Sequence, residues 1–530
     1  MPNKQPSIYP NKQKQIIDLL LLFTTVALFY LAFPSGGLAM FAWCAITPIL
    51  IALKDAQPKY AFILGLTAAT LGWMASIWWV TQGLADITNS QLNIFIPFVF
   101  LFCLISAIPY AISAWLYCRF KLYTSILGAI QAAAIITVLS NYIPHLLPGN
   151  LAHALYLAPE QIQLASVGGI AAVFFVIHCI NFLLAYGISH TKSSPKSAAT
   201  ALFLVVLVWA SNWLYGQNQI YKTYKQVEHN KQSELSVALV QPNMPITLRT
   251  RQDWLSQASA VESLIQQAAS QSSVDLIVLP EVPVPISHEY YQFDRRLFNS
   301  AANNTALFIA GIEPVNSQKE PANLETYYNS VELIQNKQVT ARYHKQKLLP
   351  MAEYLPFEQQ LPILRRWFPY APDYQSGAQI ANLALALPNN NISLIPLICY
   401  EAVFTDLVAT GINSGGQLMV NAVNDAWFGN TAGRDVHFAL AVFRTIEFRT
   451  PLVRVTNNGH SAAIDASGTL IEQSLIPPNT SMTKTVNLPL ANITSFYQKY
   501  PNFFTILCLL VAISVGLRGV IKRDQYNKPN

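Results

Sequence analysis

The chain has 530 residues, of which 52% are hydrophobic and only 11% are charged. This length exceeds one ordinary domain, and the composition is too apolar for a water-soluble protein of this size, so we predict a membrane protein. The formal net charge of +6 requires no nucleic acid as a partner, because cations flanking the apolar runs account for it as determinants of membrane topology.

Eight apolar runs come close to the roughly 20 residues that a helix needs to cross the hydrocarbon core of a membrane. They lie at residues 16–34, 37–53, 60–81, 92–117, 122–142, 165–188, 198–216 and 501–517. The first could instead be a signal peptide, but the second follows it with no polar mature sequence between them, which favours a retained helix. We therefore predict a membrane domain of seven helices at 1–216 and an eighth helix with a tail at 501–530.

Positive charges indicate how these helices are oriented. Outside the segment 217–500, thirteen lysines and arginines lie on one side of the predicted helices, whereas the short loops of the other side, at 35–36, 82–91 and 143–164, contain none. Short loops rich in lysine and arginine stay in the cytoplasm. The sequence therefore predicts that both termini are cytoplasmic and that the segment 217–500 lies outside the cytoplasmic membrane.

The segment 217–500 has the alternating pattern of an α/β domain. Predicted strands lie at 235–241, 275–281, 306–312, 327–334, 395–401, 418–424 and 451–457, and predicted helices at 252–270, 290–303 and 435–448. Reactive side chains collect where the strands of such sheets end. Glu281 ends the run DLIVLPE, and both Cys399 and Glu401 end the run IPLICYE. We expect the chemistry of this segment near these two strand ends.

Three residues of this segment suit acyl transfer through a thiol. Cys399 is its single cysteine, so it cannot form a disulfide within the segment. A thiol must lose its proton to attack a carbonyl. Glu281 could accept that proton, and Lys345 could stabilise the oxyanion and lower the pKa of the thiol. Taken singly, each has an ordinary alternative: a core cysteine, a turn carboxylate and a solvated lysine.

Four ordered motifs resemble those of the nitrilase (carbon-nitrogen hydrolase) superfamily. They are LPE at 279–281, YxKxxLLP at 343–350, CYE at 399–401 and NDAWFG at 424–429, and the match extends over 444–459. With the apolar helices on both sides, the chain is similar to the bacterial apolipoprotein N-acyltransferase family over nearly its whole length. The resemblance implies a polytopic α-helical membrane domain and, at 217–500, a nitrilase-like α-β-β-α sandwich in the periplasm, anchored in the bacterial inner membrane.

The resemblance also implies a reaction in two steps. Cys399 would take a fatty acyl chain from a phospholipid as a thioester, and the α-amine of a diacylglyceryl-cysteine at the N-terminus of an apolipoprotein would then attack that thioester. Glu281 would be the general base and Lys345 the cation that stabilises the oxyanion. The partners implied are membrane lipids, a phospholipid donor and diacylglyceryl-modified apolipoproteins, without a cofactor.

Further residues receive roles from the same resemblance. Glu353 would be an accessory carboxylate near Lys345, and Tyr400 and Glu401 would shape the pocket behind the nucleophile. Trp427 and Phe428 could lie beside the path of the acyl chain or belong to the ordinary core.

The sequence departs from the family pattern in one loop. Met351 and Ala352 precede Glu353 where the family usually has phenylalanine and glycine, and Lys347 replaces a common histidine. Both departures leave open an altered donor preference or a paralogue with a narrower task.

Two other functions remain open on the sequence alone. The first is a membrane-tethered amidase or nitrilase that uses the same three residues with water as the second nucleophile, although seven helices exceed what a tether requires. The second is a degenerate envelope scaffold, which the joint presence of Glu281, Lys345 and Cys399 disfavours. His288, His437 and His460 do not have the spacing of metal ligands, so we predict no metal site.

Overall fold

A computed structural model describes residues 12–88, 92–143, 149–229, 233–244, 251–271, 273–283, 305–314, 327–350, 352–367, 373–379, 381–388 and 390–526. The chain forms two compact units. The helical unit consists of Met1–Thr81, Leu92–Ile220 and Ser495–Asn530, and the α/β unit consists of Gln82–Gln91 and Tyr221–Thr494.

Apolar helices build the helical unit. By length and composition, five helices among the described residues can cross a membrane: Lys12–Ala32, Pro58–Ile77, Phe95–Arg119, Ala165–His190 and Pro195–His229. Three shorter apolar helices lie at Ala39–Ala52, Ile126–Tyr142 and Phe503–Val515. Each of the eight predicted runs thus coincides with an apolar helix, but three are shorter than a standard crossing, and the count of eight crossings stays a prediction.

Several of these apolar segments are interrupted; Ala165–His190, for example, is kinked at Gly168 and Gly169. The segment Phe95–Arg119 divides between Ser106 and Ile108, where Pro109 stands in the first turn of the second part; proline lacks a backbone N–H and suits a helix start. Ala39–Ala52 changes from a 3₁₀ to an α-helix near Ile46.

The break near Ile46 leaves backbone amides and a carbonyl that form hydrogen bonds with the side chain of Asn181. Its Oδ1 accepts hydrogen bonds from the Ile46 and Thr47 amides at 3.0 and 3.1 Å, and its Nδ2 donates to the Ala42 carbonyl at 3.0 Å. Asn181 is fully buried. Backbone polar groups must find partners inside an apolar unit, because no water is available to bind them. One amide therefore makes an irregular segment tolerable within the helical unit.

The α/β unit contains two sheets. Their strands are β1 Ser233–Gln241, β2 Leu276–Glu281, β3 Ala306–Pro314, β4 Tyr327–Gln335, β5 Gln338–His344, β6 Leu383–Ala386, β7 Asn391–Ile398, β8 Leu418–Val423, β9 Leu452–Thr456, β10 Ala462–Ile464 and β11 Met482–Leu490. The first sheet has the order β11-β1-β2-β3-β4-β5 and the second the order β10-β9-β8-β7-β6. Strands β1, β2 and β3 run parallel, as do β7, β8 and β9.

The two sheets pack face to face and helices cover their outer faces. Apolar side chains from both sheets share one core, which includes Leu276, Val331 and Ile398. Helix Arg251–Ala269 packs against the outer face of the first sheet. Helix Thr405–Asn413 approaches β7 so closely that a Cβ on Gly411 would lie 2.6 Å from the Ile395 side chain. This layering is the α-β-β-α sandwich that the resemblance implied.

The predicted elements of this unit agree with the structure except at a few places. All seven predicted strands are present, with boundaries shifted by a few residues. The strand predicted at 395–401 lies at Asn391–Ile398 instead; it begins earlier than predicted and ends at Ile398, because Cys399 begins a 3₁₀ turn. Four strands were not predicted: β5, β6, β10 and β11. The predicted helix at 290–303 lies outside the described residues.

Candidate active site

Glu281 lies at the carboxyl end of β2, in the middle of the first sheet. Every residue of this apolar strand is buried, so the strand carries the carboxylate into the domain. Glu281 Oε1 accepts a hydrogen bond from Asn329 Nδ2 at 2.7 Å, and its Oε2 accepts one from the Asn424 amide at 3.2 Å. The carboxylate is therefore held on both oxygens.

Lys345 follows β5, and hydrogen bonds of both its backbone amide and its backbone carbonyl fix its position. The Lys345 amide donates to the Asn329 carbonyl, and the Lys345 carbonyl accepts from the Gly377 amide, both at 2.8 Å. Lys345 Nζ donates to Glu353 Oε1 at 2.8 Å and to Glu281 Oε1 at 3.4 Å. The structure thus brings these three predicted residues into one buried cluster.

Lys345 is a permanent cation in this cluster. Its side chain is only 1% exposed. Burial disfavours the charged ammonium, but the carboxylates of Glu353 and Glu281 outweigh that effect and hold the pKa of Lys345 well above its usual range. Because the lysine remains protonated at every pH at which the fold is expected to persist, it can stabilise negative charge but cannot act as a base.

Cys399 occupies a strained turn directly after β7. Its φ of +54° lies in the left-handed region, which costs a residue with a Cβ about 1–2 kcal/mol. Asn421 Nδ2 donates to the Cys399 carbonyl at 3.0 Å and to the Leu397 carbonyl at 3.2 Å. Arg454 Nη1 in turn donates to Asn421 Oδ1 at 2.7 Å. The buried pair of Asn421 and Arg454 therefore fixes the turn that presents the thiol.

Burial and the charges of the cluster shift the pKa of the Cys399 thiol. Burial raises its pKa well above the usual range, Glu281 adds to the increase, and Lys345 opposes it. The sequence led us to expect that Lys345 lowers the pKa of the thiol; it does so, but burial and the nearby carboxylates outweigh it. The thiol is consequently protonated at neutral pH and needs a neighbouring base to become a nucleophile.

This raised pKa predicts how Cys399 reacts with iodoacetamide. Because only the thiolate is alkylated and the pKa lies above that of a free cysteine, about 8.5, the rate should still rise about tenfold per pH unit between pH 7 and pH 9. The check is mass spectrometry of the peptide that contains Cys399 after timed labelling. In Lys345→Met the alkylation rate of Cys399 should be lower than in wild type at each pH, because the loss of the lysine raises the pKa of the thiol further. A rate that levels off below pH 8 would contradict the assignment.

Of the three accessory residues, Glu353 belongs to the cluster, and Tyr400 and Glu401 lie beside it. Glu353 Oε2 accepts a hydrogen bond from the Leu349 amide at 2.7 Å, which holds the loop between Lys345 and Glu353. Tyr400 donates to the Leu348 carbonyl, and its ring centroid lies 5.5 Å from Lys345 Nζ. This contact places Tyr400, which follows Cys399 in the chain, directly beside Lys345.

Glu401 joins the loop of Lys345 to the turn of Cys399. Its Oε1 accepts from the Tyr343 hydroxyl at 2.8 Å and from the Gln346 and Lys347 amides at 2.7 and 3.1 Å. Its Oε2 accepts from the Ile398 amide at 2.8 Å. The side chain is fully buried, so Glu401 supports the site from behind and has four protein donors on its carboxylate.

Trp427 and Phe428 lie in the short 3₁₀ turn Asp425–Phe428. Trp427 is 36% exposed, so the core alternative is wrong for this residue, and its place beside an acyl path stays a prediction. The Phe428 ring packs edge-on against His437, with centroids 5.6 Å apart. His437 Nδ1 lies 2.8 Å from Asp425 Oδ1, and Arg454 Nη2 donates to Asp425 Oδ2 at 3.2 Å.

The sequence predicted no metal site at the three histidines. Among the described residues, no group of three histidine, cysteine, aspartate or glutamate side chains could hold a metal ion. His460 Nε2 pairs with Asp435 Oδ1 at 2.8 Å. His288 and Met351 lie outside the described residues.

Sequence reasoning missed the polar residues that support the cluster. Asn421 and Arg454 stand within apolar strands that are buried throughout, whereas Asn329 stands in the more polar strand β4. A polar side chain in a strand that is buried on both faces costs free energy unless it has a specific partner. That signal was present in the runs LMVNAV and LVRVT and could have identified Asn421 and Arg454. In the run YYNSVELIQ, Asn329 stands among other polar residues and is not distinguished by this signal.

Two family models match large parts of this chain. A family model described as carbon-nitrogen hydrolase matches residues 236–498, and another, described as apolipoprotein N-acyltransferase N-terminal domain, matches residues 26–183. An amidase of the nitrilase superfamily from Nesterenkonia AN1 has been solved as a mutant; it is 18% identical, with a TM-score of 0.36 over 49% of this chain and 92% of that chain. The match to the carbon-nitrogen hydrolase model defines the α/β unit as a carbon-nitrogen hydrolase domain.

Two relatives are similar to this chain along nearly its whole length, through both the helical unit and the α/β unit. Apolipoprotein N-acyltransferase of Geobacter metallireducens is 27% identical over 96% of this chain and 97% of its own. Apolipoprotein N-acyltransferase 1 of Treponema denticola is 23% identical over 94% and 95%. With both family models matched, the chain belongs to the apolipoprotein N-acyltransferase family and is an acyltransferase.

Proposed function

We propose that this protein transfers a fatty acyl chain from a membrane phospholipid, through a thioester on Cys399, to the α-amine of the N-terminal diacylglyceryl-cysteine of apolipoproteins. The observation that carries the proposal is the buried contact of Lys345 with Glu281 and Glu353 beside the strained turn of Cys399. This arrangement offers a base, a permanent cation and a thiol in one place. The apolipoprotein acceptor and the N-acylation follow the names of the relatives, and the phospholipid donor follows the family resemblance of the motifs.

In the first half-reaction, Glu281 accepts the proton of the Cys399 thiol while the sulfur attacks the ester carbonyl of the phospholipid. Lys345 stabilises the oxyanion of the tetrahedral intermediate. When this intermediate collapses, the bond between the carbonyl carbon and the glycerol oxygen breaks. That oxygen takes the proton back from Glu281, and a lysophospholipid leaves.

In the second half-reaction, the α-amine of the diacylglyceryl-cysteine attacks the thioester. Glu281 accepts a proton from the amine nitrogen, Lys345 again stabilises the oxyanion, and the carbon–sulfur bond breaks. The departing sulfur of Cys399 takes the proton from Glu281, so the thiol is restored and an amide is released. One base thus serves both steps, and the sum of the steps leaves the enzyme unchanged.

We further propose a topology for these steps. The domains are a seven-helix membrane domain at 1–216, a catalytic domain at 217–500 in the periplasm, and an eighth helix with a cytoplasmic tail at 501–530. The thirteen flanking cations support this orientation. A site reached from the membrane would also avoid pulling an acyl chain into water, which costs about 0.8 kcal/mol per CH₂.

The test uses purified full-length protein and a phospholipid with a labelled acyl chain. Wild type is expected to carry a label on Cys399 that hydroxylamine removes, and Cys399→Ala should carry none. A diacylglyceryl peptide with a free amine should then take the label from the protein. No adduct in wild type, or an undiminished adduct in Cys399→Ala, would refute the mechanism; discharge to water alone would support the amidase alternative.

A further inference from the structure

Asn329 makes a contact that neither the motifs nor the comparisons assign. It lies in β4 and is 4% exposed. Its Nδ2 donates to Glu281 Oε1 at 2.7 Å and to Glu353 Oε1 at 3.0 Å. One amide nitrogen therefore bridges the two carboxylates that Lys345 also contacts.

The orientation of this amide follows from charge. If the amide were reversed, its oxygen would face two carboxylate oxygens at about the same distances, which is repulsive, whereas the NH₂ group supplies two donors. In the observed orientation, Asn329 Oδ1 is buried and has no hydrogen-bond partner among the described residues. An unpaired buried acceptor costs about 1–3 kcal/mol. The structure tolerates that cost and keeps both amide hydrogens on the carboxylates.

The bridge affects the charge that the cluster can hold. Two carboxylates at close range disfavour each other's ionisation, and Lys345 supplies a single positive charge for both. Hydrogen bonds donated to carboxylates favour their charged form. A base must be ionised before it can accept a proton, so a donor shared between Glu281 and Glu353 extends the pH range in which Glu281 can act.

We propose that Asn329 is a positioning residue that keeps Glu281 and Glu353 ionised together, so that Glu281 is available as the base. The inference rests on the proposed role of Glu281. It differs from a purely structural role, because it predicts a change in the pH dependence of the reaction and not only in its rate.

The pH dependence also involves the other groups that act on these carboxylates. Among the described residues, the charged or titratable side chains that interact electrostatically with Glu281 or Glu353 are Lys345, Tyr374, Cys399, Tyr400 and His437. Burial raises the pKa of both tyrosines above the usual range and lowers that of His437. Both tyrosines therefore stay neutral between pH 5 and pH 8, and His437 is mostly neutral above its usual pKa of about 6.5. A shift of the acid limb that appears only in variants of Asn329 is consequently the informative result.

The test is the rate of Cys399 acylation by labelled phospholipid as a function of pH. Asn329→Asp keeps the size of the side chain but replaces the NH₂ donors with a third carboxyl group, so one carboxyl of the cluster retains its proton to a higher pH. We expect the acid limb of the profile to move upward by at least about one pH unit. Asn329→Ala, which removes the donors without adding charge, should move the limb in the same direction by less.

Asn382→Asp is the matched control. Asn382 is half-buried in the same unit, and its Nδ2 donates to the Gly411 carbonyl at 2.9 Å, away from the cluster. This variant should keep the acid limb of wild type even if it is less stable. A limb that stays in place in both Asn329 variants, with the rate lowered by one factor at all pH values, would overturn the inference alone. Wild type without an adduct would instead overturn the proposed function. If Asn329→Asp does not fold, Asn329→Ala decides.

Discussion

Replacing Lys345 with methionine is expected to slow acylation of Cys399 by about 10²–10³-fold, the usual cost of losing an oxyanion-stabilising group. Methionine has a similar length but no charge. The substitution also leaves Glu281 and Glu353 buried without their cation, which should lower the free energy of unfolding by about 3–5 kcal/mol. Labelled phospholipid measures the first effect, and thermal unfolding measures the second.

The loss of stability should depend on pH in a defined direction. Because the pKa of Lys345 is raised, its stabilising contribution is fully present below the value of a free lysine, about 10.4, and is lost only as the pH rises through the higher value in the folded protein. Across pH 5–8, wild type therefore keeps this contribution. In Lys345→Met the unpaired carboxylates can be relieved by protonation, so the deficit should be smaller at pH 5 than at pH 8.

Lys347→Met provides a matched control in the same loop. The Lys347 side chain is 38% exposed and pairs with Asp406 at 3.3 Å, and a surface ion pair of this kind contributes at most about 1 kcal/mol. Acylation should stay within about twofold of wild type. Equal losses in the two lysine variants would show that the loop, and not the buried charge, determines the rate.

The second large effect is expected for Glu401→Gln. All four hydrogen bonds to this carboxylate are accepted from protein donors, and a glutamine would turn an NH₂ group toward at least one of them. We expect a decrease of about 3 kcal/mol in the free energy of unfolding. Acylation should fall at least about tenfold, because the loop of Lys345 and the turn of Cys399 lose their common support.

Thermal unfolding and the labelled phospholipid again supply the measurements. Glu472→Gln, at an exposed position of the same unit, is the control for the change of charge and should match wild type in both. If Glu401→Gln kept its unfolding temperature but lost activity, the side chain would have a role in the reaction itself. Unchanged values in both measurements would remove Glu401 from the site altogether.

The sequence predicted the central parts of the fold better than its edges. Long uncharged runs identified the apolar helices, and runs such as DLIVLPE identified the buried strands, because burial on both faces leaves a continuous apolar pattern. Strand β5 was missed because Gln338–His344 is polar and partly exposed. The three-residue strand β10 is too short to show any period.

The residues of the site were predictable, but their electrostatics were not. The motifs pointed to Glu281, Lys345 and Cys399 one by one, and their contacts come from strands that are distant in sequence. The direction in which the pKa of the thiol shifts depends on a balance between burial, three carboxylates and one lysine. Such a balance is a property of three-dimensional distances, and no spacing in the sequence encodes it.

The left-handed backbone of Cys399 has a consequence for how this position can vary. Any residue with a side chain is strained there, and a β-branched residue would be strained most. Folding alone would favour glycine at this point, while the proposed thioester mechanism requires a thiol. Selection for stability and selection for activity therefore oppose each other at residue 399, and the buried support from Asn421 and Arg454 is what allows the second to prevail.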